Sequence, residues 1–332
     1  LATAKGRYAA EPFEAQLTAG AVLRLRTPED PYPIDLQLSS GATRLSLKGT
    51  LLDPLQFAGA RLKLRQQGND LSALAGPTGF PLPATPPYRL EGDFDYRAGL
   101  IQLKRFQGLL GESDIAGDLS LALHTPRPLL TATVRSEQLK LADLSGLIGA
   151  DPGPKPATAA PSERLLPSTP INVPRLQNAD VKFAFVGARL VGEQLPFDRL
   201  SFTLTLDDGV MRATPVDFGI GEGTLRLYAT LDPRGETLGL EASAELRRVD
   251  ISRLMEKTGY RGEGRIGGSA RLKGKGRSAA ELLGGGDGEL KLAMAGGNFS
   301  ALLLDLSGLD FGNALLSALG IGKRTEVRCL VG

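Results

Sequence analysis

The chain has 332 residues, 42% of them hydrophobic, which is ample material for a folded core and excludes a disordered chain. Lys and Arg number 39 against 37 Asp and Glu, a net charge of +2, with 5% aromatic residues and no Trp. That balance excludes a dedicated nucleic-acid surface, which needs clustered basic charge and stacking rings, and a single cysteine (Cys329) with a single histidine (His124) excludes an internal disulfide framework and a Cys/His zinc site.

Taken in chain order, the elements are predominantly short amphipathic strands. "TRLSLKGTL" sets Leu45, Leu47, Gly49 and Leu51 against Arg44, Ser46, Lys48 and Thr50. "ARLKLRQ" opposes Leu62 and Leu64 to Arg61, Lys63 and Arg65, and "YRLEGDFDY" opposes Tyr88, Leu90, Phe94 and Tyr96 to Arg89, Glu91, Asp93 and Asp95. In "SDIAGDLSLAL" the residues Ile115, Gly117, Leu119, Leu121 and Leu123 share one side. "VKFAFVG", "LSFTLTLDDG", "TLRLYATLD", "LGLEASAEL", "GSARLKG" and "GELKLAM" continue the pattern, with turn signals such as "LDP", "DDG" and "LDPRG" between them. Roughly a dozen or more strands follow from these criteria, and their short spacing predicts antiparallel hairpins and meanders.

Short helical pieces punctuate the strands. "DLSAL" from Asp70, "DLSGLIG" from Asp143 and "DISRLMEKTG" from Asp250 each place an acid at a capping position, and "RSAAELLGGG" and "FGNALLSALGIG" are two more candidates. A Pro-, Ala- and Ser-rich stretch, 149–170, reads as a linker or exposed loop between a first β-repeat region (1–148) and a second (171–332) that closes with a short helix. The two regions share a loose repeat: the segment from Gly99 aligns without gaps on the one from Gly209. The longest apolar tract, "SALLLDLSGLDFGNALLSALGIG", is interrupted by Asp305 and Asp310 and does not read as a membrane span. No signal segment is evident, and both termini fall inside structured patterns, so the expectation is a piece of a longer protein.

Motifs that carry chemistry are few. "GEGRIG" (Gly262–Gly267) lacks the strand and helix that a dinucleotide-binding turn requires. "GGGDGE" from Gly284 reads as a hairpin turn, and Asp93 and Asp95 of "DFD" lie on a polar, solvated face. There is no G-x-S-x-G, P-loop or H-E-x-x-H, so no enzyme, cofactor or metal is expected.

One-sided strands can pack as a sandwich, close into a barrel, or leave their apolar face to something that is not protein. The apolar faces are rich in Leu and poor in large rings, which favours a long open sheet curled into a trough. Leaving a Leu side chain wet forfeits about 1.5–3 kcal/mol, so such a trough must be filled, and acyl chains fill it without hydrogen bonds.

The run from "GTLLDPLQFAG" through "GNDLSAL", "LP…PPYRLEG" and "LLGESDIAGDLSL" resembles the repetitive region of the bacterial AsmA family, as do "LPSTPINVPRLQNADVKFAFVGARLVGEQLPFDRLSFTLTLDDG" and "LDLSGLDFGNALLSALGIG". The resemblance implies a mostly β fold, a long antiparallel and strongly curved taco- or groove-like sheet. It also implies a periplasmic protein tethered to the inner membrane by a helix this chain lacks, similar to bridge-like lipid transfer proteins. The implied partners are phospholipids or other acyl lipids and envelope proteins, in support of the outer membrane. Leu45, Leu47, Ile115, Leu119 and Leu121 in the first region are the groove-lining candidates, with Val181, Phe183, Phe185, Leu200, Phe202, Leu204, Leu206, Leu225 and Leu227 in the second. The alternative is a structural or assembly module of the envelope with a sandwich-like packed core.

Overall fold

Successive side chains of a strand point to opposite faces, so pairing one-sided strands edge to edge gathers all their apolar groups on one side. The computed structural model describes residues 1–8, 11–22, 25, 30–74, 82, 84–123, 126–148, 177–191, 197–235, 237–255 and 263–295. In chain order the strands are β1 (Ala2–Tyr8), β2 (Glu11–Ala19), β3 (Tyr32–Ser40), β4 (Thr43–Leu52), β5 (Gly59–Gly68), β6 (Tyr88–Arg97), β7 (Leu100–Leu110), β8 (Ser113–Ala122), β9 (Leu129–Ser136) and β10 (Leu139–Lys140). They continue with β11 (Asp180–Gly187), β12 (Leu190–Val191), β13 (Phe197–Asp207), β14 (Val210–Ile220), β15 (Gly223–Asp232), β16 (Leu238–Asp250), β17 (Arg265–Gly276) and β18 (Asp287–Ala295).

β10 and β12 form a separate two-stranded parallel pair. The other sixteen strands lie side by side in chain order, from β1 at one edge to β18 at the other, in an open sheet. β1 to β9 pair antiparallel in succession, as do β14 to β18. β9 and β11 instead run parallel. Alternation carries no information on pairing direction, which is why the sequence reading expects hairpins throughout. A parallel neighbour needs a crossover rather than a tight turn. Residues 137–179 provide the length, and the 149–170 stretch within them lies outside the described residues.

The chain divides into two compact units. One comprises Leu1–Gly153, Pro174–Val191 and Thr203–Gly209, and the other Pro154–Val173, Gly192–Phe202 and Val210–Gly332, so β13 contributes to both. The repeat read from the sequence has a structural counterpart. β7 and β14 begin at Leu100 and Val210, β8 and β15 at Ser113 and Gly223, an offset of 110 each time. The register slips between Leu103 and Phe106 in β7 and between Ala213 and Val216 in β14, again at that offset. Matching left-handed turn residues accompany them: Gly99 and Gly209, Gly111 and Gly221.

Two irregularities share one sequence signature. In "LKRF" of β7 and "LRRV" of β16 a pair of basic residues interrupts the alternation, and the pairing register shifts there. The second basic residue of each, Arg105 (φ 46°) and Arg248 (φ 51°), takes the left-handed conformation of a β-bulge. The extra residue returns the next apolar side chain, Phe106 or Val249, to the buried side.

Caps form where acids precede helical turns. Asp70 accepts the amides of Ser72 (2.8 Å) and Thr85 (2.9 Å) beside a 3₁₀ turn, Leu71–Leu74. Asp250 accepts the Ser252 amide (2.8 Å) at the start of α1 (Ile251–Met255). Asp143, 9% exposed, sits in a second 3₁₀ turn, Leu141–Ile148, and reaches across to the β7–β8 turn. Its carboxylate accepts the amides of Glu112 and Ser113 (3.0 Å each) and the Ser113 hydroxyl (2.7 Å). Gly111 in that turn has φ +60°, and a Cβ there would stand 2.2 Å from the Asp143 carboxylate, so glycine is required twice over. In "RSAAELLGGG", Ser278 caps α2 (Ala279–Gly284) through the Glu281 amide, and Glu281 reaches back to the Arg277 amide. "GGGDGE" is therefore the exit of α2 into β18 rather than a hairpin turn. "FGNALLSALGIG" lies outside the described residues, as do His124 and Cys329.

Asp143→Ala would leave the buried Ser113 amide and hydroxyl without their acceptor. The expected cost is about 2–3 kcal/mol, seen as a lower urea midpoint at unchanged slope. A second expectation concerns acid. Burial pushes the Asp70 carboxyl up, but hydrogen bonds from the Ser72 hydroxyl and the Ser72 and Thr85 amides outweigh it and hold the group below its ordinary value. Burial is likewise outweighed at Asp114 by the Glu137 and Gln138 amides and the Ser136 hydroxyl. A carboxyl lowered in the folded chain contributes fully above its unfolded value and loses that contribution as pH falls through the folded one. Thermal midpoints should therefore fall below about pH 4, and the Asp70→Asn, Asp114→Asn double variant should show a shallower acid slope.

Candidate functional site

Register decides which side chains share a face. In the first unit one cross-strand row runs Ile34–Gly49–Leu62–Phe94–Leu103–Leu119–Ala132–Phe183 without a polar side chain. The next row, Tyr32–Leu51–Ala60–Tyr96–Ile101–Leu121–Leu130–Val181, has only two tyrosine hydroxyls. On the other side of the first row lie Leu36, Leu47 and Leu64, then Phe106, Gly117, Val134 and Phe185. Glycine in these rows permits close strand approach: a Cβ on Gly117 would stand 2.0 Å from the Thr133 carbonyl oxygen.

The sequence-predicted lining residues Leu45, Leu47, Ile115, Leu119, Leu121, Val181, Phe183 and Phe185 all fall on this one face. Leu45, Leu47, Ile115, Leu119, Leu121, Val181 and Phe183 are half-buried, and Phe185 is buried. Leu204 and Leu206 of β13 belong to the same unit, the first half-buried and the second buried.

The second unit has its own apolar face. Leu225 and Leu227 of β15 stand in the rows Phe218–Leu225–Leu246–Gly268–Leu292 and Val216–Leu227–Ala244–Ala270–Leu290. Leu200, buried, and Phe202, half-buried, are in this unit too. Asp198 and Arg199, both exposed, break the alternation before them, and Phe197 packs its ring on Phe218 at a centroid distance of 5.0 Å.

The sequence reading omitted Ile34, Leu36 and Leu38 of β3, although "IDLQLSS" alternates as strictly as the segments it used. It quoted Leu62 and Phe94 as alternating residues without assigning them to the lining.

The reverse face of the first unit is charged. Asp35, Lys48, Lys63, Asp93 and Lys104 form one row. Asp93 takes hydrogen bonds from both Lys63 and Arg105, Lys104 pairs with Asp95 at 3.1 Å, and Lys48 with Asp35 at 3.3 Å. The Lys63 hydrogen bond foremost holds the Asp93 carboxyl below its ordinary value. Exposed pairs contribute little stability each, but together they keep this face in water.

Among the described residues the only other sheet is the two-stranded β10–β12 pair, whose buried Leu139 sits beside Gly187 on the apolar face of the first unit. A concavity of about 1080 Å³ in the first unit is lined mainly by residues that alternate to the charged side, among them Arg44, Arg65, Arg89, Glu91 and Gln107, which flank Leu45, Gln66, Leu90 and Gly108 on their strands. Among the described residues no cluster of His, Cys, Asp and Glu could hold a metal, and no helix is long and apolar enough to cross a membrane.

An open sheet of sixteen strands laid side by side in chain order defines a class of β-rich protein. A family model described as the AsmA family matches residues 2–331, and the chain belongs to that family. It is 32% identical over 270 residues to the AsmA family protein YhjG of Escherichia coli (strain K12), a match covering 76% of this chain and 39% of that protein. The chain thus spans well under half of that relative's length. No solved structure gives a significant match.

Leu62 and Leu119 stand in the same row, but Leu62 is 7% exposed and Leu119 is half-buried. Leu62→Ala should cost about 3 kcal/mol and Leu119→Ala about 1 kcal/mol, because an uncapped side chain leaves little cavity. Urea denaturation of both variants checks the difference.

Proposed function

We propose that this chain is a cell-envelope module that shelters acyl chains against its apolar sheet face and supports phospholipid transport between the inner and outer membranes. The observation that carries the reading is the pair of unbroken apolar rows across eight strands, half-exposed at Leu119, Leu121 and Val181. Apolar side chains left in water forfeit their transfer free energy, and acyl chains restore it without requiring hydrogen-bond partners. The mechanism is passive: tails slide along the rows while head groups stay in water, with no covalent step and no cofactor. Membership of the AsmA family supports the envelope setting. We place the chain in the periplasm, held to the inner membrane by a segment outside it, with phospholipids and envelope proteins as partners.

Native mass spectrometry of the gently purified chain, with lipid extraction in parallel, tests this. The expected result is co-purifying phospholipid that Leu119→Asp removes while circular dichroism and the urea midpoint change little, because the new carboxylate reaches water once the lipid is gone. A lipid-free, stable wild-type chain would sink the proposal and favour the structural module.

A further inference from the structure

The apolar face of the first unit is not uniform along its strands. Toward the end where Phe57 sits in the β4–β5 turn its only polar atoms are the Tyr32 and Tyr96 hydroxyls, and toward the end where Asp143 holds the β7–β8 turn polar side chains enter among apolar ones such as Leu110. The rows through Leu119 and Leu121 lie at the Phe57 end. Four residues along each strand from the Leu119 row, toward the Asp143 end and past the row of Leu47 and Gly117, the row of Leu45 and Ile115 admits Gln66. Beyond it the same face carries Ser40, Thr43 and Tyr88, and the Gln66 amide donates to the Tyr88 hydroxyl at 3.3 Å. From Leu121 to Ser113 the face spans eight residues, about 27 Å.

The rims agree with the face. Val22 (76% exposed), Leu55 (69%) and Phe57 (56%) project from turns at the Phe57 end. Near the other end Leu109 and Val186 are exposed on the charged side of the sheet, and Val191 (47% exposed) lies in the separate β12 strand. The polar caps made by Asp70, Asp114 and Asp143 all lie at the Asp143 end.

From this gradient we infer that a bound amphiphile lies along the strands in one orientation, its acyl end against the Leu119 and Leu121 rows and its polar end beside Ser40, Thr43 and Gln66. The inference rests on the acyl-sheltering reading above and adds direction to it. The groups at the polar end are neutral hydrogen-bonding side chains, which fits a head group recognised by hydrogen bonds rather than by charge alone. The reverse orientation would set the head group against rows whose only polar atoms are the Tyr96 hydroxyl and the Tyr32 hydroxyl, the latter already donating to the Gly20 carbonyl, at the cost of unpaired polar groups.

Photo-crosslinking of the purified chain tests the orientation. Two phosphatidylcholine probes are loaded separately, one with a diazirine at the acyl terminus and one with a diazirine on the head group, and the labelled peptides are mapped by mass spectrometry. The expected result is at least about tenfold more head-group label around Ser40, Thr43 and Gln66 than around Tyr96, Ile101 and Leu121, the preference that burying an unpaired polar group imposes. The acyl probe should show the opposite preference. Gln66→Leu, which leaves the outer rows intact, should reduce the head-group preference. A head-group label at the Tyr96 end, or equal labelling of both ends by both probes, overturns the orientation while leaving acyl sheltering intact. No labelling by either probe overturns both readings.

Discussion

Everything in this molecule depends on cross-strand register. Because side chains alternate with a period of two, a slip of one residue in any strand would move its Leu residues to the charged side and its Lys and Asp residues to the apolar side. The unbroken row from Ile34 to Phe183 exists only because eight strands keep the same phase. The bulge at Lys104 and Arg105 maintains that phase. It absorbs one extra residue and delivers Phe106 to the side where Leu103 already stands.

The two faces meet water in different ways. On the charged side, Asp93 between Lys63 and Arg105 is typical: each contact is weak and solvated, and the set makes that surface soluble. On the apolar side, neighbouring strands shield side chains laterally and covering elements are local, Leu139 beside Gly187 in the first unit and α2 over Gly274 and Gly276 in the second. Residues there grade from nearly covered, like Leu62 and Phe185, to half-open, like Leu47 and Leu121. A packed sandwich would have closed both groups alike.

Much of this was legible in the sequence because strand faces are written locally. "TRLSLKGTL" and "SDIAGDLSLAL" declare their apolar sides without reference to any partner, and the acids at Asp70, Asp143 and Asp250 mark capped turns. Partnership between distant segments was not legible. The parallel pairing of β9 with β11 depends on a crossover, and nothing in "LLTATVRS" or "DVKFAFVG" distinguishes a parallel neighbour from an antiparallel one. The helical character of the turns was overestimated, since two are 3₁₀ pieces fixed by side-chain caps. Ile34 and Leu36 share the apolar face with Leu45 and Ile115, and the alternation in "IDLQLSS" already carries that signal. The polarity gradient needed register, because Gln66 and Thr43 become neighbours on one face only once β3, β4, β5 and β6 are aligned.

The matching of β7–β8 with β14–β15, strand bounds, turn glycines and bulges alike, has a genetic consequence. Recombination between corresponding positions of the two copies would join one strand to its counterpart in phase, so the side-chain alternation would pass through the junction unbroken. A loss or gain at any other spacing would risk putting a strand out of step. A gene for such a chain can therefore change length readily in whole modules and hardly at all in single residues within strands.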